Sequence, residues 1–135
     1  MNDINEIIEL YLPNLTIYNK ELLLKQKTKS SSLLLYKLIT HIRICQNKNL
    51  NKEQNELSEV VIALITKTNI PFYRIDEKTG LNAYQLTKFL NLEQIEKAFI
   101  TRIDRDSKEK LQEVKSEFVK KYNNRTIIHK KRRRR

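Results

Sequence analysis

The sequence predicts an all-α, compact multi-helix domain that ends in a long C-terminal helix and a disordered basic tail. The 135-residue chain has one glycine and two prolines. It is rich in residues that favour helices, such as Leu, Lys, Glu and Gln. Its apolar residues recur at three- and four-residue spacing and seldom alternate with period two. This length is typical of one domain that is large enough to bury a core.

The chain divides into four segments in the order of the sequence. We expect an N-terminal helical platform at 1–50, a helical core at 51–105, a C-terminal helix at 106–125 and a basic tail at 126–135. The platform packs on the core or continues it. Because the platform is large, we expect it to offer a surface for a protein partner.

Three helices are predicted in the platform, at residues 3–12, 19–27 and 33–46. The first carries an apolar stripe on one face and ends at Pro13. In the second, Leu22, Leu23 and Leu24 are expected to point inward. The third has a wide apolar face, which predicts contact with more than one neighbouring element.

A fourth helix is predicted at residues 51–67. Asn51 and Gln54 have the spacing of a capping box at its start. Its buried stripe is predicted to consist of Leu57, Val60, Val61, Leu64 and Ile65. After this helix, Asn69 can cap and Pro71 suits the first turn of the next helix.

Residues 72–91 predict two short helices joined by a tight turn. Gly80 is the only glycine of the chain and is expected to adopt a positive φ. Side chains expected in the seam between the two helices are Ile75, Leu81, Leu86 and Phe89. Asp76 faces this seam in the sequence pattern, so its carboxylate must turn outward or find a partner.

This stretch resembles the helix-turn-helix of DNA-binding proteins, whose second helix enters the major groove. The resemblance implies base or groove contact by Asn82, Tyr84, Gln85 and Thr87. It implies phosphate contact by Arg74, Lys78 and Lys88. The alternative is an ordinary corner between two core helices, in which Gly80 ends the first helix.

Two more helices are expected after this stretch. Asn91 and Gln94 repeat the capping pattern, and Asp106 with Glu109 suggests the start of a last helix. The apolar stripe of that last helix consists of Leu111, Val114, Phe118 and Tyr122. This narrow stripe is typical of a coiled-coil seam that would form a homodimer, or it packs on its own domain.

Positive charge is concentrated at the C-terminus. Residues 120–135 contain nine of the 27 Lys and Arg residues and no acid, and therefore carry +9 of the net charge of +11. We expect the tail to bind DNA phosphates through Lys130, Lys131, Arg132, Arg133, Arg134 and Arg135. The alternative is a terminus that only raises solubility.

The composition argues against an enzyme, a metal site or a cofactor. One cysteine and two histidines offer no metal-ligand set, and a single glycine excludes a glycine-rich phosphate loop. No signal peptide or membrane span is visible, so we expect a cytoplasmic protein on the nucleoid. We expect sequence-specific binding of double-stranded DNA by a small transcriptional regulator. The alternatives are an accessory factor of a mobile element and a protein-interaction module that does not bind DNA.

Overall fold

The computed structural model describes residues 3–27 and 31–111, and within them it confirms the all-α prediction. These residues form α-helices, short turns and one irregular segment at 68–82, with no strand. The helices are α1 (Ile4–Tyr11), α2 (Ile17–Lys27), α3 (Leu34–Asn47), α4 (Asn51–Lys67), α5 (Ala83–Phe89) and α6, which is described from residue 93 to residue 111. Short 3₁₀ turns at Leu12–Asn14 and Ser31–Leu33 precede α2 and α3.

The pair α3 and α4 forms the centre of the core. These two helices make the most extensive contact between helices in the part of the chain that the structure describes. The stripe predicted on α4 is confirmed, because all five of its residues are buried. Helix α1 packs on α4 and buries Ile7 and Ile8. Each fully buried side chain of this size stabilises the fold by about 1.5–3 kcal/mol.

The chain divides into two compact units, Met1–Thr101 and Arg102–Arg135. In the described part of the second unit, the Nε atom of Arg102 donates to the Asp106 carboxylate at 2.9 Å, one helical turn away. Helix α6 passes through Asp106 without a break, so the prediction that this residue caps a new helix is wrong. Of the predicted coiled-coil stripe, only Leu111 lies in the described residues, where it is exposed.

Helices α5 and α6 are joined by a corner that has Asn91 at its centre. Asn91 adopts the left-handed conformation with φ of 57°. The N–H of Leu92 donates to the carbonyl of Thr87 at 3.1 Å, and the N–H of Asn91 donates to the carbonyl of Lys88 at 3.1 Å. This is a Schellman motif, which satisfies the last carbonyls of a helix. Asn49, with φ of 57°, has the same role between α3 and α4.

These corners overturn two predicted capping boxes. Leu50 is the N-cap of α4 and makes no side-chain cap bond, so Asn51 and Gln54 do not form the expected box. Asn91 closes α5 and does not open α6. Asparagine is favoured both at N-caps and in the left-handed position after a helix, so its presence alone does not distinguish the two.

The helix expected to start at Pro71 is absent, because residues 69–76 are not helical. Thr68, Ile70 and Phe72 are buried in alternation, as in a strand-like segment. Ile70 precedes a proline, which disfavours the α conformation. The N–H of Ile70 donates to the Thr68 hydroxyl at 3.1 Å, a local bond that ends α4.

Three predicted inward side chains point outward instead. Ile75 and Phe89, which were expected in the seam of the two short helices, are exposed. The seam does not exist, since the first of the two helices is missing. Leu24 of α2 is also exposed, whereas Leu22 and Leu23 are buried as expected.

Candidate nucleic-acid interface

Before α5 the chain makes a single turn that is capped at both ends. The Asp76 carboxylate accepts from the N–H of Thr79 at 3.1 Å and from its hydroxyl at 3.2 Å. At the other end, the N–H of Gly80 donates to the carbonyl of Asp76 at 2.8 Å. Gly80 has φ of 71°, which confirms the predicted positive φ. The Asp76 carboxylate thus has a partner, and a single turn stands where the first helix of the motif was expected.

A capping box fixes the start of α5. The side-chain oxygen of Asn82 accepts from the backbone N–H of Gln85 at 2.9 Å, and the side-chain oxygen of Gln85 accepts from the backbone N–H of Asn82 at 2.9 Å. Each amide therefore uses its oxygen for the helix. The NH₂ groups of both side chains remain as donors at the surface. Of the predicted DNA-contacting residues, these two are held in defined positions by the fold.

Tyr84 belongs to a chain of aromatic rings. Its ring lies 5.5 Å from the ring of Phe99, which lies 5.1 Å from Phe72. The ammonium group of Lys88 sits 5.5 Å from the centre of the Tyr84 ring. Tyr84 is half-buried, so its ring holds α5 on α6 while one edge reaches the surface.

Thr87 is fully buried, which overturns its predicted contact with DNA. Its hydroxyl donates to the carbonyl of Ala83 at 2.9 Å. Ala83, Leu86 and Thr87 are the buried residues of α5 and have the spacing of one helical face. The same spacing is present in the sequence, and it places Thr87 on the face of α5 that packs on the core.

One edge of α3, with the turn before it, positions α5 and the turn at Asp76. The Arg74 guanidinium donates to the Ser32 hydroxyl at 3.1 Å, and the Tyr36 hydroxyl lies 2.8 Å from that of Thr79. Arg43 donates to the carbonyl of Leu90, the C-cap of α5, at 2.6 Å. Residues 32, 36 and 43 are four and seven apart, which is the spacing of one side of a helix.

Sequence reasoning missed these supporting residues. In the sequence, Ser32 suggests only a helix cap, Tyr36 only widens the apolar face of α3, and Arg43 gives no signal. Nothing in the sequence indicated the segments that they contact.

The charge around α5 is modestly positive. Arg74, Lys78 and Lys88 are exposed, as a phosphate contact requires. Glu77 is exposed beside them, and Asp76 is half-buried. The excess charge of the chain lies in the tail, and the six predicted phosphate contacts at 130–135 fall outside the described residues.

No protein-family model, no curated protein and no solved structure matches this chain. In the described ranges 3–27 and 31–111, no helix is long and apolar enough to cross a membrane. Within the same ranges, no three His, Cys, Asp or Glu side chains come close enough together to hold a metal ion.

Proposed function

We propose that this chain binds double-stranded DNA in a sequence-specific manner, as a small transcriptional regulator. The observation that carries the proposal is the charge of the tail, since residues 120–135 contain nine basic residues and no acid. A segment of this kind neutralises phosphates and releases counterions, which supplies affinity for any duplex. The exposed side of α5 then supplies preference for particular base pairs.

The geometry of α5 suits contact with a groove. An α-helix with its side chains is about 10–12 Å in diameter, which fits a major groove about 12 Å wide. The capping box uses the side-chain oxygens of Asn82 and Gln85, and we expect their NH₂ groups to donate to purine N7 or thymine O4. Lys88, whose ammonium group lies over the Tyr84 ring, is the residue of α5 that we expect to contact a phosphate. Thr87 is not part of this set.

The proposal is tested by Gln85→Glu, which changes the chemistry of the surface and keeps the capping box. A glutamate oxygen accepts the same bond from the Asn82 N–H, and a carboxylate suits the first turn of a helix. The NH₂ donor becomes an anion that repels DNA. We expect affinity for the preferred site to fall by about tenfold or more, because a good base contact contributes about 1–3 kcal/mol.

Gln94→Glu on α6 is the matched control, since Gln94 is also exposed and its substitution changes the net charge equally. Affinity is measured by fluorescence anisotropy at fixed salt, and circular dichroism verifies the fold. Equal effects of the two substitutions would contradict base contact by α5 and would leave only electrostatic attraction.

A second candidate function is supported by the N-terminal helices. Leu10, Ile17 and Leu24 are large apolar side chains that are exposed on α1 and α2. Such side chains are typical of protein contact when they lie together. An accessory factor of a mobile element would use them to dock on a partner enzyme while it positions DNA. A module that only binds protein would have the same surface, and Gln85→Glu would then have no effect on its activity.

A further inference from the structure

Helix α2 buries two amides beside Leu22 and Leu23, and it exposes two large apolar side chains on its outer side. Its buried side includes Asn19 and Gln26, which are 0% and 7% exposed and seven residues apart. Its outer side includes Ile17 and Leu24, which are 74% and 48% exposed and also seven residues apart. A surface helix normally buries its large apolar residues and exposes its amides. The outer side of α2 therefore carries two exposed apolar residues next to the charged residues Lys20 and Glu21.

Hydrogen bonds at the start of α2 fix this orientation. The Asn19 amide donates to the carbonyl of Glu53 and to the carboxylate of Glu56, both at 3.0 Å. The N–H and hydroxyl of Thr16 donate to the same carboxylate oxygen, each at 3.0 Å. Rotating α2 to bury Ile17 would break these bonds. These bonds, together with the burial of Leu22 and Leu23, hold Ile17 and Leu24 on the outer side.

The outer stripe is complementary to itself. Ile17, Lys20, Glu21 and Leu24 follow one another at spacings of three, one and three residues, on one side of the helix. When two such helices pack antiparallel about a two-fold axis midway between residues 20 and 21, residue 17 lies opposite residue 24. Residue 20 then lies opposite residue 21. Each apolar side chain meets an apolar one, and each lysine meets a glutamate.

We propose that α2 is a homodimer interface, in which a second copy of this chain packs antiparallel on the stripe Ile17, Lys20, Glu21 and Leu24. Ile17 packs on the partner's Leu24, and Lys20 pairs with the partner's Glu21. The two-fold axis repeats both contacts. Tyr18, which is partly exposed, flanks the stripe. This interface is distinct from the C-terminal seam predicted from the sequence, and it does not depend on DNA binding.

The interface is small, so the dimer is expected to be weak. The 11 residues of α2 span about 16 Å, and a pair of such helices buries less than the roughly 1,200 Å² of a stable standard interface. We expect a dissociation constant on the order of 10–100 μM for the full chain. Sedimentation velocity over a range of concentrations measures it directly.

Charge reversal tests the register as well as the surface. Lys20→Glu and Glu21→Lys each place like charges opposite each other at two symmetry-related points, and each variant alone should dimerise at least about tenfold more weakly. An equimolar mixture of the two variants should recover association, because the two glutamates of one chain then face the two lysines of the other. The double substitution should dimerise like the wild type. Lys97→Glu, on α6, is the matched control and should have no effect.

Ile17→Ser with Leu24→Ser should abolish the dimer without unfolding the chain, since both side chains are exposed in the monomer. Thermal unfolding of each variant verifies the fold. A wild type that remains monomeric up to about 1 mM would overturn the proposal. A dimer that survives the Ser substitutions would also overturn it and would place the contact elsewhere.

If neither the mixture nor the double substitution restores dimerisation, the antiparallel register is rejected. DNA affinity is measured on the same variants. A variant that is monomeric but still binds DNA would show that DNA binding does not require the dimer, so the two proposals can fail separately.

Discussion

The carboxylate of Glu56 ties α2 to α4, and its removal should weaken the fold by a predictable amount. One of its oxygens accepts three hydrogen bonds, from the N–H and hydroxyl of Thr16 and from the Asn19 amide. Bonds to a charged acceptor contribute about 1.5–3 kcal/mol, and neutral ones about 0.5–1.5 kcal/mol. Glu56→Gln keeps an acceptor in place but loses the charge. Because water reaches part of this site, we expect a loss of about 1–2 kcal/mol at pH 7.

The loss should depend on pH. Burial by itself would raise the pKa of the Glu56 carboxyl, but the hydrogen bonds from Thr16 and Asn19, with Lys52 nearby, hold its pKa below the ordinary value. Because the pKa of Glu56 is lower in the folded state, its ionised carboxylate stabilises the fold at pH values above the unfolded pKa of about 4.3. This stabilisation disappears as the pH falls through the lower pKa of the folded state. The difference between the wild type and Glu56→Gln should therefore shrink between about pH 5 and pH 3.

Urea unfolding at a series of pH values measures this difference. Glu59→Gln, at an exposed position of the same helix, is the matched control and should change stability by less than about 0.5 kcal/mol. A difference for Glu56→Gln that is equally large at pH 3 and pH 7, or no larger than that of the control, would refute the role of the charge.

Two further predictions concern the turn before α5 and the tail. Gly80→Ala should destabilise the chain by about 1 kcal/mol in thermal unfolding, because φ is positive and an added Cβ would meet no atom within 4 Å, so the cost is backbone strain alone. Asn91→Gly, at a similar φ, should be neutral or stabilising, and a Gly80→Ala protein as stable as the wild type would contradict the argument. Deletion of residues 126–135 should weaken binding to every duplex and reduce the slope of log K against log salt by about 0.9 for each phosphate that the tail neutralises. An unchanged slope would mean that the tail does not bind DNA.

The parts of the fold that follow from helical periodicity could be predicted from the sequence. The stripe on α4 repeats at three- and four-residue spacing and is buried as expected. Gly80, as the only glycine, marked a positive φ correctly. In these places the local pattern and the tertiary contacts favour the same conformation.

The ends of the helices could not be predicted in the same way. The pattern of Asn followed three residues later by Gln occurs at Asn51, Asn82 and Asn91, and only Asn82 forms a capping box. Asn91 occupies the left-handed position after α5, and Asn51 is the first residue of α4, because Asn49 ends α3 and Leu50 becomes the N-cap. Local sequence does not decide between these uses, because the choice depends on how the two helices pack.

The chain just after Pro71 is not helical, and part of the physical reason can be recognised in the sequence. Ile70 and Phe72 alternate with exposed or half-buried residues, a period of two that favours an extended chain over a helix. Pro71 suits the first turn of a helix, but a proline also restricts the preceding residue, Ile70, to extended conformations. The bonds from Arg74 to Ser32 and from Thr79 to Tyr36 join residues more than forty positions apart, and no local pattern predicts them.

The central claim, that α5 contacts base pairs while the tail contacts phosphates, is tested most directly by selection from a random duplex library. The wild type, the protein without residues 126–135 and the Gln85→Glu variant are selected in parallel. We predict one enriched motif that the wild type and the tail-deleted protein share, with lower recovery for the latter, and loss or change of that motif in Gln85→Glu. Binding without any enriched motif, or the same motif at the same strength in Gln85→Glu, would contradict the claim.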